Sequence, residues 1–276
     1  MTPFSYSADE PETTPPSYEP SVPAHLLGTW QMEETGQPDG WDFSVLEGRV
    51  SETPLPWNLE RICREALRLS RHVLDMGTGG GEHLKRFANQ LPTDTVATEG
   101  WQPNIPVAQQ ALEPLGITVV PYDPDTDRQM PFPDNRFDLI LNRHESFDAQ
   151  EVARVLAPGG VFITQQVGGT ELGELHQVTG KRPDHPEVTL RNFSRQLTDA
   201  DLEIVDDGED RGWYEFVDVA ALVAYLQFVP WDVPHDFSVE RYRGALWELH
   251  RRGPMYGEPL RLTKIRFWLR ARKPIM

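Results

Sequence analysis

The chain has 276 residues and one cysteine, Cys63, which excludes a disulfide framework or a cysteine-based zinc site within one copy. No apolar run reaches membrane-spanning length, and Met1 opens a polar, proline-rich stretch in place of a signal-peptide pattern. Positive charge is scarce: 26 Lys and Arg stand against 43 Asp and Glu, a net charge of −17. That balance argues against broad contact with a phosphate backbone, which needs a basic surface. The deficit is uneven, because residues 241–276 carry a local +8 and the first 240 carry −25. Histidines and acids are scattered without ligand spacing, so no metal is expected. No internal repeat is present. The expectation is a soluble cytoplasmic protein with no membrane partner, a monomer or homodimer.

What is present centres on Val73-Leu74-Asp75-Met76-Gly77-Thr78-Gly79-Gly80-Gly81-Glu82. It reads as a buried parallel strand, a glycine turn and the start of a helix carrying Leu84, Phe87, Ala88 and Leu91. Glycines allow a sharp turn and a close ligand approach. A helix start adds free N–H groups and a positive dipole end. Gly77, Gly79 and Gly81 make G-x-G-x-G, and Glu82 stands where a dinucleotide fingerprint needs its third glycine. An NAD-dependent oxidoreductase is therefore a distant reading. Asp75 and Glu82 also disfavour a pyrophosphate there and favour a cationic ligand group.

Three further blocks follow in order. Thr95–Thr98 reads as a second strand ending in Glu99, 22 residues after Gly77, placed to accept from two ribose hydroxyls. Trp101 follows, as a cover for an adenine face or as packing. Pro106–Leu115 reads as a helix and Ile117–Tyr122 as a third strand. Met130-Pro131-Phe132-Pro133-Asp134-Asn135-Arg136-Phe137-Asp138-Leu139-Ile140-Leu141-Asn142 reads as a turn and a fourth strand. Glu151 to Thr164 reads as a helix, a Pro158-Gly159-Gly160 turn and a fifth strand. The strand–helix alternation predicts a doubly wound, mostly parallel sheet, with ligand beyond the strands' carboxyl ends at the switch point.

These four blocks, over residues 73–167, resemble the class I S-adenosylmethionine-dependent methyltransferases of the type 11 kind. D-x-G-x-G-x-G resembles motif I of that family, and the third and fourth blocks resemble its "lPFpDxxFDlvl" and "EvxRVLxPGGxf" signatures. The resemblance implies a Rossmann-like sheet of seven strands closed by an antiparallel strand. It implies S-adenosyl-L-methionine as cofactor and S-adenosyl-L-homocysteine as product. Carried onto this chain, the cofactor residues are Asp75, Gly77, Thr78, Gly79, Gly81, Glu99, Trp101, Asp123, Asn142 and Arg143. Asp125 rivals Asp123, because the Asp123–Asp127 segment is longer than the family's pattern.

The expected organisation is a disordered proline-rich arm over 1–23, an N-terminal lid and helix over 24–70, and the methyltransferase domain over 71–276. The lid carries Trp30, Trp41, Phe43 and Trp57, with a helix from Pro56 to about Leu69. In the main domain an aromatic-rich helical cap is inserted at about 207–260, after a strand at Leu202–Val205, with helices at Val217–Phe228 and Val239–Arg251. Leu262–Arg272 is read as the last strand, with Ile265, Phe267 and Leu269 alternating against Lys264, Arg266, Trp268 and Arg270.

Methyl transfer needs a base only where the nucleophile must lose a proton. His144, in Asn142-Arg143-His144-Glu145, is the candidate; His235, His250 and Tyr256 are alternatives. The position reads Asn-Arg-His-Glu where nucleic-acid amino methyltransferases of the family carry Asn/Asp-Pro-Pro-aromatic, so nucleic acid is disfavoured. The expected function is methylation of an oxygen or nitrogen atom of a small-molecule acceptor. Alternatives are a methyltransferase acting on RNA or protein, docking through the basic C-terminal segment, and a catalytically silent cofactor-binding or assembly module.

Overall fold

The structure is a computed structural model, and it describes residues 21–36 and 43–275. Most of the proline-rich arm, and Trp41, lie outside the described residues. Eight strands form one sheet: β1 (Val50–Glu52), β2 (His72–Met76), β3 (Asp94–Glu99), β4 (Thr118–Pro121), β5 (Phe137–Arg143), β6 (Leu156–Val167), β7 (Glu203–Phe216) and β8 (Leu260–Arg272). Their order is β1-β7-β8-β6-β5-β2-β3-β4. β2 to β6 pair in parallel, and β8 runs antiparallel to both β6 and β7. This is the expected mostly parallel sheet closed by an antiparallel strand, with one addition. β1 pairs antiparallel with the outer part of β7 and makes an eighth, edge strand.

The parallel strands form where the sequence is apolar on both faces. Val73, Leu74 and Met76 of β2 are fully buried. On one face α2 (Leu59–Leu67), α3 (Glu82–Lys85) and α4 (Asn104–Leu112) pack onto Val73, Ala97, Leu139 and Ile163. On the other, α5 (Ala149–Val155) and α7 (Leu190–Asp199) cover Leu74, Ile140, Phe162 and Leu269. α2 starts at Asn58, whose side chain accepts from the Arg61 N–H, and buries Ile62, Cys63 and Leu67. Burying a side chain of that kind contributes roughly 1.5–3 kcal/mol.

A third core lies over the outer ends of β7 and β8. There α1 (Ala24–Glu34), α6 (Gly173–Thr179), α8 (Val219–Leu226) and α9 (Arg243–His250) surround Tyr214, Phe216, Leu260 and Leu262. α8 is apolar all round, and each of its residues is buried. Asp218 caps it by accepting from the Ala221 N–H. The insert therefore holds helices near the expected places, but it begins later than residue 207. Residues 207–216, with Trp213, Tyr214 and Phe216, belong to β7.

Two further expectations change. The helix after the glycine turn is one turn long, ending at Lys85 rather than Leu91. A single turn sums few peptide dipoles, so the N–H groups there act singly. β8 does not alternate between core and solvent: Lys264 and Arg266 are buried along with Ile265 and Phe267. The basic C-terminal segment is thus an inner strand facing the acids of β7. Arg270 pairs with Asp206 at 3.3 Å and Arg261 with Glu215 at 2.7 Å.

An extended segment, Thr53 to Trp57, crosses the α2 face of β7 and β8. The Thr53 N–H donates to the Trp213 carbonyl at 3.0 Å, the Thr53 hydroxyl accepts from the Trp213 N–H at 2.9 Å, and the Lys264 ammonium donates to the Thr53 carbonyl at 2.6 Å. Gly212 makes this crossing possible, since a Cβ there would stand 1.8 Å from the Thr53 hydroxyl.

Candidate active site

β2 and β5 lie side by side, Met76 opposite Asn142, while the chain leaves β2 toward β3 and β4 before returning. This is the switch point, and the glycine turn and Asn142–His144 both emerge from it. Gly77 and Gly79 both have positive φ, at 69° and 62°. Their surroundings differ. A Cβ on Gly77 would stand 2.3 Å from the Glu145 side chain, so this glycine lets the β5 loop pack onto the turn. A Cβ on Gly79 would meet nothing within 4 Å, so this glycine borders open space. Gly81 closes the turn through its N–H to the Thr78 carbonyl at 3.0 Å.

Glu99, at the tip of β3, is fully buried. One carboxylate oxygen accepts from the Gly79 N–H at 2.7 Å and the other from the Trp101 N–H at 2.9 Å. A carboxylate has about four lone-pair sites, so each oxygen keeps room for one more donor. Burial raises its pKa, and the two N–H bonds oppose that. Asp123 follows β4 and packs against Gly100, where a Cβ would come within 2.9 Å of its Cα. Asp125 instead accepts from the Ser146 hydroxyl at 2.9 Å, on the side of the β5–α5 loop. Of the two rivals, Asp123 is the one beside the β3 tip.

Asp75 is buried beneath the turn, and burial pushes its carboxyl up to about 6. No cation lies within ion-pair distance of it among the described residues. Asn142 is also buried; its amide oxygen accepts from the Thr164 hydroxyl at 2.6 Å and from the Gln166 amide at 2.7 Å. That fixes the amide's orientation and leaves Nδ2 buried with no hydrogen-bond partner. The Thr78 hydroxyl is likewise buried, on the side of the Asp75 carboxylate, whose raised pKa it partly offsets. Buried donors without partners are rare and mark a missing ligand or strain. Arg143 is exposed at the end of β5 and meets no acid at ion-pair distance among the described residues.

His144 adopts a left-handed backbone, φ 59°, and its N–H donates to the Gln165 carbonyl at 2.8 Å. Its Nε2 lies 3.3 Å from the Gln165 amide nitrogen, and the Gln165 amide oxygen accepts from the Trp57 indole N–H at 2.9 Å. Burial, then the charge of Arg143, holds the His144 pKa well below the ordinary histidine value.

The glycine turn, Asp75, Glu99, Trp101, Asp123, Asn142, Arg143 and His144 thus gather at one end of the sheet. His235, His250 and Tyr256 belong to the outer helical segment. Gln165, Gln166 and Thr164 were missed as site residues. Their signal was the polar run Thr-Gln-Gln ending an apolar strand, where core packing alone calls for aliphatic residues.

Comparison with known proteins agrees with this architecture. Residues 74–164 match the family model described as a methyltransferase domain. The chain is 28% identical over 103 residues to the uncharacterized methyltransferase YcgJ of Bacillus subtilis, covering 35% of this chain and 40% of that protein. It is 33% identical over 113 residues to the ubiquinone/menaquinone biosynthesis C-methyltransferase UbiE of Cupriavidus necator, covering 38% of this chain and 46% of that protein. The chain thus spans less than half the length of these curated relatives. Among solved structures, a Bacillus halodurans protein described as a methyltransferase superposes with a TM-score of 0.56 at 20% identity, covering 79% of this chain and 99% of that one. The YcgJ structure gives 0.53 at 15% identity, with 79% and 98% covered. Both show the shared fold. The fold is the Rossmann-like α/β fold of these methyltransferases. Residues 74–164 thus carry a methyltransferase domain.

Proposed function

We propose that this protein transfers a methyl group from S-adenosyl-L-methionine to an oxygen or nitrogen atom of a small-molecule metabolite in the cytoplasm, releasing S-adenosyl-L-homocysteine. The observation that carries the reading is the set of unfinished groups at the switch point: the open Gly79 turn, the buried Asp75 with no ion-pair cation, and the unpartnered Asn142 amide. These fit a ligand with an ammonium, ribose hydroxyls and an adenine. Asp75 would hold the ammonium, Glu99 the ribose, and Asp123 and Trp101 the base. Asn142 and Arg143 would hold the methionine carboxylate end.

The cofactor, when bound, supplies an activated methyl group on a sulfonium. The chain's own part is to bind, align and keep the site dry. Good alignment lowers the barrier by about 7–11 kcal/mol. In this reading residues 24–36 and 43–70 and the helices between β7 and β8 wall the acceptor site. A small acceptor is supported by β8, where Lys264 and Arg266 are buried and Arg261 and Arg270 pair with Glu215 and Asp206, so that these four cations are taken up within the sheet. One observation favours a second acceptor atom: the UbiE relatives are named C-methyltransferases, which points to an activated carbon.

Calorimetric titration of S-adenosylmethionine and S-adenosylhomocysteine tests the reading. Micromolar-range binding is expected, weakened at least tenfold in Glu99→Ala and less in Glu99→Gln, with melting curves to verify folding. Absence of binding in the folded wild-type protein would sink it.

A further inference from the structure

His144 sits at the carboxyl end of β5 in the position of a candidate proton acceptor, yet its hydrogen bonds assign it another role. The chain of contacts begins at Trp57, whose indole N–H can only donate. It meets the Gln165 side chain at 2.9 Å, so the amide oxygen must face Trp57. The amide nitrogen, which can only donate, then faces Nε2 of His144 at 3.3 Å. Nε2 must therefore be the accepting nitrogen, and the ring proton must sit on Nδ1. Among the described residues Nδ1 meets no partner, so its N–H is the ring group left for a ligand.

From this relay we infer that His144 is held as the neutral Nδ1–H tautomer and presents a hydrogen-bond donor, not a base, with Trp57 and Gln165 as the residues that position it. The inference rests on the methyltransferase reading only for what the donor meets, an electronegative atom of cofactor or acceptor. The tautomer itself stands on contacts within the chain. The groups acting on the ring agree with it. Arg143 on β5, Arg266 on β8 and His83 on α3 each disfavour a second ring proton, as does burial. Trp57 owes its place to the extended segment that Lys264 and Gly212 anchor across the sheet, so the N-terminal segment sets the tautomer of a residue on β5. A consequence concerns the substrate. An acceptor nucleophile here must bring its own lone pair, as a free amine or an already ionised oxygen does, since His144 has no free lone pair to take its proton.

The test is long-range proton–nitrogen correlation NMR on the full chain with nitrogen-15 histidine, His144 being assigned by loss of its signals in His144→Gln. The wild-type protein is expected to show a protonated Nδ1 and a bare Nε2, unchanged from about pH 5.5 to about pH 8, a range that spans the ordinary histidine midpoint. Gln165→Glu places an acceptor opposite Nε2. It is expected to move the proton to Nε2 and to bring the ring's titration up into that range. Trp57→Phe releases the amide and is expected to give a mixture of the two tautomers. A wild-type ring protonated on Nε2, or one titrating near pH 6.5, would overturn the inference. Because these spectra need no cofactor, their failure and a failure of cofactor binding are separate results.

Discussion

Two buried carboxylates, Asp75 at the switch point and Glu171 beneath the outer helices, face the same physics and resolve it differently. Burial pushes Asp75 up to about 6 and Glu171 up to about 7. Glu171, just after β6, has its charge met. It accepts from the buried Arg266 guanidinium and from the Ile265 N–H at 3.2 Å, and Tyr214 bonds the same guanidinium. Glu171 in turn keeps Arg266 charged. Asp75 has no such cation. A carboxylate buried and closed by its own chain is structural, whereas one buried and left open costs stability that only a ligand can recover.

The comparison is sharpest when each site is broken. Glu171→Ala leaves a buried guanidinium without its anion, and thermal or denaturant melts should show a loss of about 3–5 kcal/mol. Replacing Glu171 and Arg266 together by Leu and Met should restore most of that loss, because no uncompensated charge remains. If the double variant were as unstable as Glu171→Ala, the pairing would not be what holds this junction.

Asp75→Asn should act in the opposite sense. Its carboxyl binds a proton more tightly in the folded protein, at about 6, than at the ordinary aspartate value of 3.8. Stability therefore falls as pH rises through that window, and the ionised form costs the fold roughly 3 kcal/mol at neutral pH. Asp75→Asn should melt higher than wild type at pH 7, with the difference fading as pH drops toward about 4. The same variant should bind S-adenosylmethionine at least tenfold more weakly. A variant destabilised at neutral pH would mean that Asp75 has a structural partner.

The smallest effect should come from Gly79→Ala. The left-handed backbone costs about 1–2 kcal/mol with a Cβ, and nothing in the fold meets the new methyl group. Stability should fall by about that amount while cofactor binding falls further, because the methyl group enters the open side of the turn. Equal small losses in both would indicate a turn that no ligand approaches.

The same contrast explains what could be read from the residues alone. The switch-point half was legible because its signals are local: apolar parallel strands, a glycine turn, and acids at strand tips. Even there, the helix expected to run to Leu91 stops at Lys85, since one turn suffices to bury Leu84 and Phe87 follows in a looser turn. The outer half was less legible because its signals are non-local. Asp207-Gly208-Glu209-Asp210 reads as the start of the insertion until Arg270 and its neighbours on β8 stand opposite. Lys264 and Arg266 look exposed until Thr53 and Glu171 are placed against them. The His144 relay joins residues 57, 144 and 165, which no spacing rule connects.

The measurement that goes most directly to the switch point as a cofactor site is calorimetric titration of S-adenosylmethionine between about pH 5 and about pH 8, in wild type and Asp75→Asn. Affinity should fall about tenfold per pH unit below the Asp75 midpoint in wild type, and that dependence should vanish in the variant. Binding with the same pH profile in both proteins, or no binding in either, would contradict the role given to Asp75 and to the turn above it.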